Sequence, residues 1–268
     1  MLLAPCLVGL PAPSAARDEA IRFREAWGWA IVLPVEIGGA GYDLLLDTGA
    51  TFTVLEPGLA AALGVAATGD TIRITLAGER PVGTGRVDLT IGSSRLEGVE
   101  VLIADLPAIR SDEPRVRGLL GQSALSRLEY TIDHARRRLI VHGMQPAGAE
   151  AVAPARPTVE AHLGCGSART RFVLDSGVAT PVLFERKGRP LGVEKGGLVQ
   201  ARTNGGDAVW RSGLLASLCV AGRRSGPVPV VVRPVTEPPR DEEGLLPTRF
   251  FARVRVALAG AVVAVEFW

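Results

Sequence analysis

The chain repeats itself, and the repeat falls on its most chemically loaded residues. Residues 44–55 read Leu-Leu-Leu-Asp-Thr-Gly-Ala-Thr-Phe-Thr-Val-Leu, and residues 172–183 read Phe-Val-Leu-Asp-Ser-Gly-Val-Ala-Thr-Pro-Val-Leu. Asp47 maps onto Asp175, an offset of 128 residues (175 − 47). The same offset carries Leu63-Gly64-Val65 onto Leu191-Gly192-Val193, Gly78 onto Gly206, and Thr84-Gly85 onto Ser212-Gly213. Further on, Gly118-Leu119-Leu120 matches Gly244-Leu245-Leu246 at an offset of 126 (244 − 118), so two residues are deleted between these blocks. Two copies of one unit in one chain predict two pseudo-symmetric lobes. Their shared face would bring the two Asp turns together, as a homodimer interface does with its halves fused.

Each copy reads as β-structure. With 32 Gly and 19 Pro in 268 residues, long helices would be broken repeatedly. In the first copy the pattern predicts a strand over 31–37, a Gly-rich turn at 38–41, and a strand over 43–46 running into Asp47. A short helix is expected over 57–63, opened by Pro57 and closed by Gly64. Strands over 71–76 and 82–91 would flank a turn at Ala77-Gly78-Glu79. A strand over 99–103, a helix over 122–127 and strands near 128–133 and 138–142 complete the unit. The second copy follows the same order, with Asn204-Gly205 as a hairpin turn. The Ala-, Pro- and Gly-rich stretch after 145 reads as a linker. The expected organisation is a lobe at 17–148, a linker at 149–157 and a lobe at 158–268.

Other features narrow the function. Net charge is +2 and aromatics make up 5%, so nothing marks a nucleic-acid surface. Arg136, Arg137 and Arg138 read as a solvated turn. Residues 1–16 read as an export leader: 2–10 are apolar, and Ser14-Ala15-Ala16 precedes the first charge, Arg17. That places the protein in the periplasm or outside the cell. No apolar run reaches the length of a bilayer span; the nearest, 256–265, reads as a buried strand. Cys6 lies in the leader, and Pro5 before it makes a poor lipid-attachment sequence. Cys165 and Cys219 either pair or stay as buried thiols. His134, His142 and His162 form no metal motif, and no cofactor-binding motif is present.

The repeated Asp carries its own chemistry. Two carboxylates held a few Å apart cannot both ionise cheaply, so the pair shares one proton and titrates as a unit. The ionised member can take a proton from a water while the protonated member polarises a carbonyl. That hydrolyses an amide with neither metal nor covalent intermediate. Asp47 and Asp175 are the candidates. Gly49 and Gly177 would let each backbone turn tightly, so that amides approach the carboxylate. The hydroxyls of Thr48 and Ser176 can tie the turns together across the pseudo-axis.

With these residues in view, the sequence resembles the retropepsin- and pepsin-type aspartic peptidases, in particular the bacterial retropepsin-like proteins. The motifs are Leu45-Leu46-Asp47-Thr48-Gly49-Ala50-Thr51 and Leu119-Leu120-Gly121. The resemblance spans nearly everything after residue 27, closely in the first copy and loosely in the second. It implies an all-β, bilobal acid-protease fold and an aspartic endopeptidase. A polypeptide substrate would lie extended in the cleft, with Asp47 and Asp175 catalytic. The enzyme would be a monomer with an internal pseudo-dimer, without cofactor or integral membrane segment. It also implies a flap hairpin in each lobe, near 71–86 and 199–213, with Ala77, Gly78, Gly205, Gly206 and Trp210 as flap residues. Trp210 has a second reading, as a side chain that covers sheet surface. The second copy departs from the pattern at Val178, at Ala179 (Thr51 in the first copy) and at Pro247 (Gly121 in the first copy). A catalytically silent peptide-binding or scaffold protein of the same fold is therefore the alternative function.

Overall fold

Two glycines build the first hairpin. Gly38 and Gly39 both have positive φ, 60° and 80°. That is the two-residue turn whose twist suits flanking strands, and side chains with a Cβ resist it. In this computed structural model the described residues are 18–68, 73–74, 78–79, 82–144, 156–167, 169–185, 192–203, 206–234, 242–257 and 261–268. The expected leader and most of the expected linker, 149–155, lie outside them.

In chain order, the first half contains β1 (Glu19–Arg22), β2 (Arg24–Ala26), β3 (Ala30–Ile37), β4 (Ala40–Leu46), β5 (Thr53–Leu55) and α1 (Pro57–Ala62). There follow β6 (Arg73–Ile74), β7 (Gly78–Glu79), β8 (Gly83–Ile91), β9 (Ser94–Ile103), α2 (Pro107–Asp112), β10 (Val116–Leu120), α3 (Gln122–Leu125), β11 (Leu128–Asp133) and β12 (Arg138–Met144). The second half contains β13 (Thr158–Leu163), β14 (Thr170–Asp175), β15 (Val182–Glu185), β16 (Val193–Thr203), β17 (Gly206–Leu215), β18 (Leu218–Val220) and β19 (Arg223–Arg224). It ends with β20 (Val228–Pro234), β21 (Gly244–Pro247), a 3-10 turn at Thr248–Phe250, β22 (Arg253–Val256) and β23 (Val262–Glu266). No helix among the described residues is long and apolar enough to cross a membrane.

The two larger sheets share one wiring. The first runs β2-β3-β4-β10-β5-β9-β8, with β8 returning to pair with β3. The second runs β16-β17-β20-β15-β21-β14-β13-β18-β19. In each, the strand that ends at the Asp turn is paired in parallel with a strand from far along the chain, β4 with β10 and β14 with β21. That distant strand pairs antiparallel with the strand after the turn, β5 or β15. The next neighbour, β9 or β20, is again parallel. The inserted strands pass so close that a Cβ on Gly118 would overlap the Val54 carbonyl, and one on Gly244 the Val182 carbonyl. Val54 and Val182 are themselves 128 residues apart. The repeated Gly-Leu-Leu is thus a packing repeat.

Alternation along β4 and β14 sorts their side chains. Leu44 and Leu46, like Phe172 and Leu174, enter the main core. Leu45 and Val173 face the other way, into two separate apolar clusters. Asp47 and Asp175 fall on that second face.

A five-stranded sheet, β1-β12-β11-β22-β23, takes strands from both halves of the chain. Its seam runs from Tyr130 opposite Val256 to Asp133 opposite Arg253. The fully buried Asp133 accepts from the Arg136 amide at 2.9 Å and from Arg253 Nε at 3.0 Å. Burial opposes its charge, but these donors outweigh it and hold the carboxyl below its usual range. Beside it, His134 Nε2 meets Thr248 Oγ1 at 3.2 Å.

Several expectations change. β1, β2 and α2 were not legible in the sequence, being short and polar. The strand expected at 99–103 begins at Ser94, and the two expected helices shorten to 57–62 and 122–125. The run 256–265 is not one buried strand. It divides between the end of β22 and a partly exposed β23. Gly78 and Glu79 form the second arm of their hairpin, opposite Ile74 and Arg73, rather than its turn; Ala77 lies outside the described residues. The second hairpin is much longer. β16 and β17 pair from Val193 opposite Leu215 to Thr203 opposite Gly206, and Asn204 and Gly205 lie outside the described residues. Cys165 and Cys219 form a disulfide with Cα atoms 5.1 Å apart, joining the end of β13 to its neighbour β18.

Candidate active site

Each Asp turn begins where its strand runs out, and the inserted strand behind it steers the chain. The Asp47 amide donates to the Leu120 carbonyl at 3.0 Å. The two turns then lock together through their hydroxyls. Thr48 Oγ1 donates to the Leu174 carbonyl at 2.7 Å and accepts from the Ser176 amide at 3.0 Å. Ser176 Oγ donates to the Leu46 carbonyl at 2.6 Å and accepts from the Thr48 amide at 3.1 Å. Each hydroxyl satisfies two buried backbone groups of the opposite turn, which would otherwise go unpaired.

This cross brings Asp47 and Asp175 into hydrogen-bond contact. They are 8% and 3% exposed. Asp47 Oδ1 accepts from the amides of Gly49 at 3.1 Å and Ala50 at 2.9 Å. Asp175 Oδ1 accepts from the Gly177 amide at 2.7 Å. The expected approach of amides to carboxylates is present, but the reason for glycine differs. Neither Gly49 nor Gly177 has positive φ. Instead, a Cβ on Gly49 would overlap the Asp175 carboxylate, and one on Gly177 would lie 2.8 Å from Asp47 Cγ. Each glycine makes room for the carboxylate of the other turn.

The pair is electrostatically uneven. Burial raises both carboxyls above their usual range. At Asp47 this is opposed by the Ala50 and Gly49 amides and by a hydrogen bond from Asp175. At Asp175 the neighbouring Asp47 charge adds to burial, against the Gly177 amide and the more distant Arg156, and its pKa stands well above the usual value. Two buried carboxyls in contact therefore share a proton and titrate as a unit.

The turns are buttressed differently. Behind Asp47, Gln122 Nε2 donates to the Thr48 carbonyl at 2.8 Å, and the Gln122 amide to the Ala50 carbonyl at 2.9 Å. The Gly121 amide donates to Thr53 Oγ1 at 3.2 Å, and Ser123 Oγ accepts from the Thr53 amide at 2.9 Å. In the second half Pro247 stands for Gly121 and Pro181 for Thr53, so neither the amide nor the hydroxyl exists. Thr248, in the place of Gln122, turns to His134 at the seam instead. Ala179 costs little, because its counterpart Thr51 is exposed. Val178 packs onto the apolar cluster beside its turn. Sequence reasoning missed Gln122, Thr53 and Ser123; the signal for Gln122 was its place directly after Leu119-Leu120-Gly121. Among the expected flap residues, Gly78 opens β7, Gly206 opens β17, and Trp210 lies half-buried in β17 against the second cluster.

Residues 33–124 match the family model described as aspartyl protease. That stretch includes Asp47-Thr48-Gly49 and Leu119-Leu120-Gly121. Among solved structures, a retropepsin-like aspartic protease from Rickettsia conorii is similar, at 21% identity over 47% of this chain and 89% of that chain, with a TM-score of 0.37. Among curated proteins no match is found.

Proposed function

We propose that this chain is an aspartic endopeptidase whose two halves each supply one member of the catalytic dyad. The observation that carries the reading is the reciprocal Thr48–Ser176 cross, which holds two buried carboxyls in contact. Ionised Asp47 takes a proton from a water lying between the carboxyls. Asp175 gives its proton to the carbonyl oxygen of the scissile amide as the water oxygen bonds to carbon. The tetrahedral diol then collapses: the C–N bond breaks, the nitrogen takes a proton from Asp47, and a diol hydroxyl returns one to Asp175. Donors and acceptors are fixed before substrate arrives, so little reorganisation opposes the charge shift.

The substrate is an extended polypeptide, held by main-chain bonds with apolar pockets for alternate side chains. Hairpins β6–β7 and β16–β17 serve as flaps. The chain works as a monomer of two fused lobes, 17–148 and 158–268, joined through 149–157. It is exported after loss of residues 1–16, a reading supported by the Cys165–Cys219 disulfide, which persists in oxidising compartments. The second reading is a silent peptide-binding protein, favoured by the loss of the Gly121–Thr53 buttress at Pro247 and Pro181.

The test is cleavage of a peptide library across a pH series by wild type, Asp47→Asn and Asp175→Asn. The expected result is a bell-shaped pH profile for wild type and a loss of roughly 10²-fold or more in each variant. Cleavage surviving in Asp175→Asn would leave the second turn as mere support. Absence of cleavage by wild type at any pH would favour the silent binder.

A further inference from the structure

An ion pair sits behind the second half of the site where the first half has apolar residues. The Leu174 amide donates to the Pro157 carbonyl at 2.8 Å, which extends by one residue the register that sets Thr158 opposite Val173. Arg156 comes next, beside Asp175. Its guanidinium donates to Glu242 Oε1 at 2.9 Å, and the two side chains are only 19% and 15% exposed. Glu242 stands two residues before β21, and β14 lies between β21 and β13 in the sheet. The pair therefore straddles the strand that delivers Asp175, at the point where the chain enters the second half. In the first half the same register, Val32 opposite Leu45, puts Ala30 beside Asp47, and the offset of 126 puts Val116 in the place of Glu242. Both are buried in the first apolar cluster. A sheltered ion pair holds a fold together no better than well-packed apolar residues do, so stability alone does not account for the exchange.

Charge reaches Asp175 from several elements. Asp47 lies on the facing turn. The segment before β13 brings Arg156, and the segment before β21 brings Glu242 and Glu243. Glu185, at the end of β15, pairs with Lys195; Arg249, beyond β21, donates to the Gly28 carbonyl; Arg171, on β14 itself, is exposed. Asp47 pushes the Asp175 carboxyl up and Arg156 pulls it down, so the positive end of the ion pair is the end that acts on the dyad. We infer that Arg156, held by Glu242, is a positioning residue: it braces the strand that delivers Asp175, and its charge sets the pH at which the dyad gives up its shared proton. Glu242 fixes the guanidinium and tempers its charge. This inference rests on the endopeptidase reading, but it concerns the charge behind the dyad rather than whether the bond is cut.

The experiment compares wild type with Arg156→Gln, Arg156→Lys, Glu242→Gln and the double variant Arg156→Gln/Glu242→Gln. One readout is kcat/KM on a single cleaved peptide across a pH series. The other is the titration of the dyad followed by NMR of 13C-labelled aspartate carboxyls, with Asp175→Asn to assign the signals. Arg156→Gln removes the cation and leaves a sheltered carboxylate, so the high-pH limb of the profile should move up by about half a pH unit or more. Glu242→Gln leaves the cation untempered and should move the same limb down. Arg156→Lys should restore the wild-type limb, and the double variant should fall between the two single ones. Opposite shifts from the two ends of one ion pair are what a mere brace would not give. Shifts in the same direction, a limb that none of the variants moves, or a shift in Arg156→Gln that Arg156→Lys does not reverse would overturn the inference and leave the endopeptidase reading intact. If Arg156→Gln does not fold, Glu242→Gln and the double variant decide by the same signs. If wild type cleaves nothing, the carboxyl titrations alone decide the inference, and only the catalytic reading falls.

Discussion

The Asp47 turn and the Asp175 turn are held by the same four crossed hydrogen bonds, yet they rest on different foundations. The first sits on Gln122, Thr53, Ser123 and the Gly121 amide; the second has prolines where two of those groups would be. The comparison separates what the shared site requires from what each half can vary. Hydroxyl, glycine and carboxyl are retained in both halves because each acts on the opposite turn. A change there injures two loops at once, whereas a change in the buttress injures one.

The largest expected break in this symmetry test comes from the hydroxyls. Thr48→Val and Ser176→Ala each remove two bonds and strand a buried amide and a buried carbonyl of the other turn. Each should cost about 2–4 kcal/mol in urea unfolding. The double variant should cost clearly less than the sum, because the four bonds form one unit. Additive losses would mean that the turns are held independently.

A disulfide marks only the second half. Reducing Cys165–Cys219, which closes a separation of 54 residues, should destabilise the protein by about 2–4 kcal/mol. Native-state hydrogen exchange should show the loss in β13 and β18 before β3 and β4. Equal loosening of both halves would show that they unfold as one unit.

Acid should act oppositely on the dyad and the seam. Burial, with the Arg249 charge, holds His134 down to about 4, against the pull of Asp133. The unfolded chain therefore binds more protons at this site below the ordinary histidine range near 6.5, and stability falls as pH drops through that range towards about 4. Asp175, with a raised pKa, does the reverse: the native state keeps its proton, so stability falls as pH rises from the ordinary carboxylate range through the raised value. Asp175→Asn should flatten the high-pH fall and His134→Gln the low-pH fall in urea midpoints measured from pH 4 to 7. An unchanged pH slope in either variant would break the assignment.

The smallest effect sharpens the buttress comparison. Gln122→Leu removes the bond to the Thr48 carbonyl and should cost about 1–2 kcal/mol. Thr248→Val, at the matching position, loses only its bond to His134 and should cost less. It should also leave kcat unchanged, while Gln122→Leu lowers it by displacing the Asp47 loop.

Part of this was legible in the residues alone. The offset of 128 paired Asp47 with Asp175 and Thr48 with Ser176; the second hairpin was legible at Asn204-Gly205, whereas Gly78 and Glu79 proved to be a strand arm and not a turn. Such features are written locally, as a strand pattern followed by turn residues, and repetition makes them visible. Gly118 and Gly244 were visible in the same way, although their cause, a carbonyl of a distant strand, was not. β1, β2 and α2 escaped because short polar segments form only when a partner supplies the missing hydrogen bonds. The joining sheet escaped for the same reason, since its seam at Asp133 and Arg253 links residues 120 positions apart.

By itself, then, the sequence determined that two like turns with two carboxyls would face each other. Tertiary structure decided that the disulfide forms, that Gly49 and Gly177 serve the opposite carboxylate, and that burial raises both carboxyls. These depend on distance and burial between segments remote in the chain. A carboxyl's affinity for its proton follows from the amides, charges and water around it once the fold has closed.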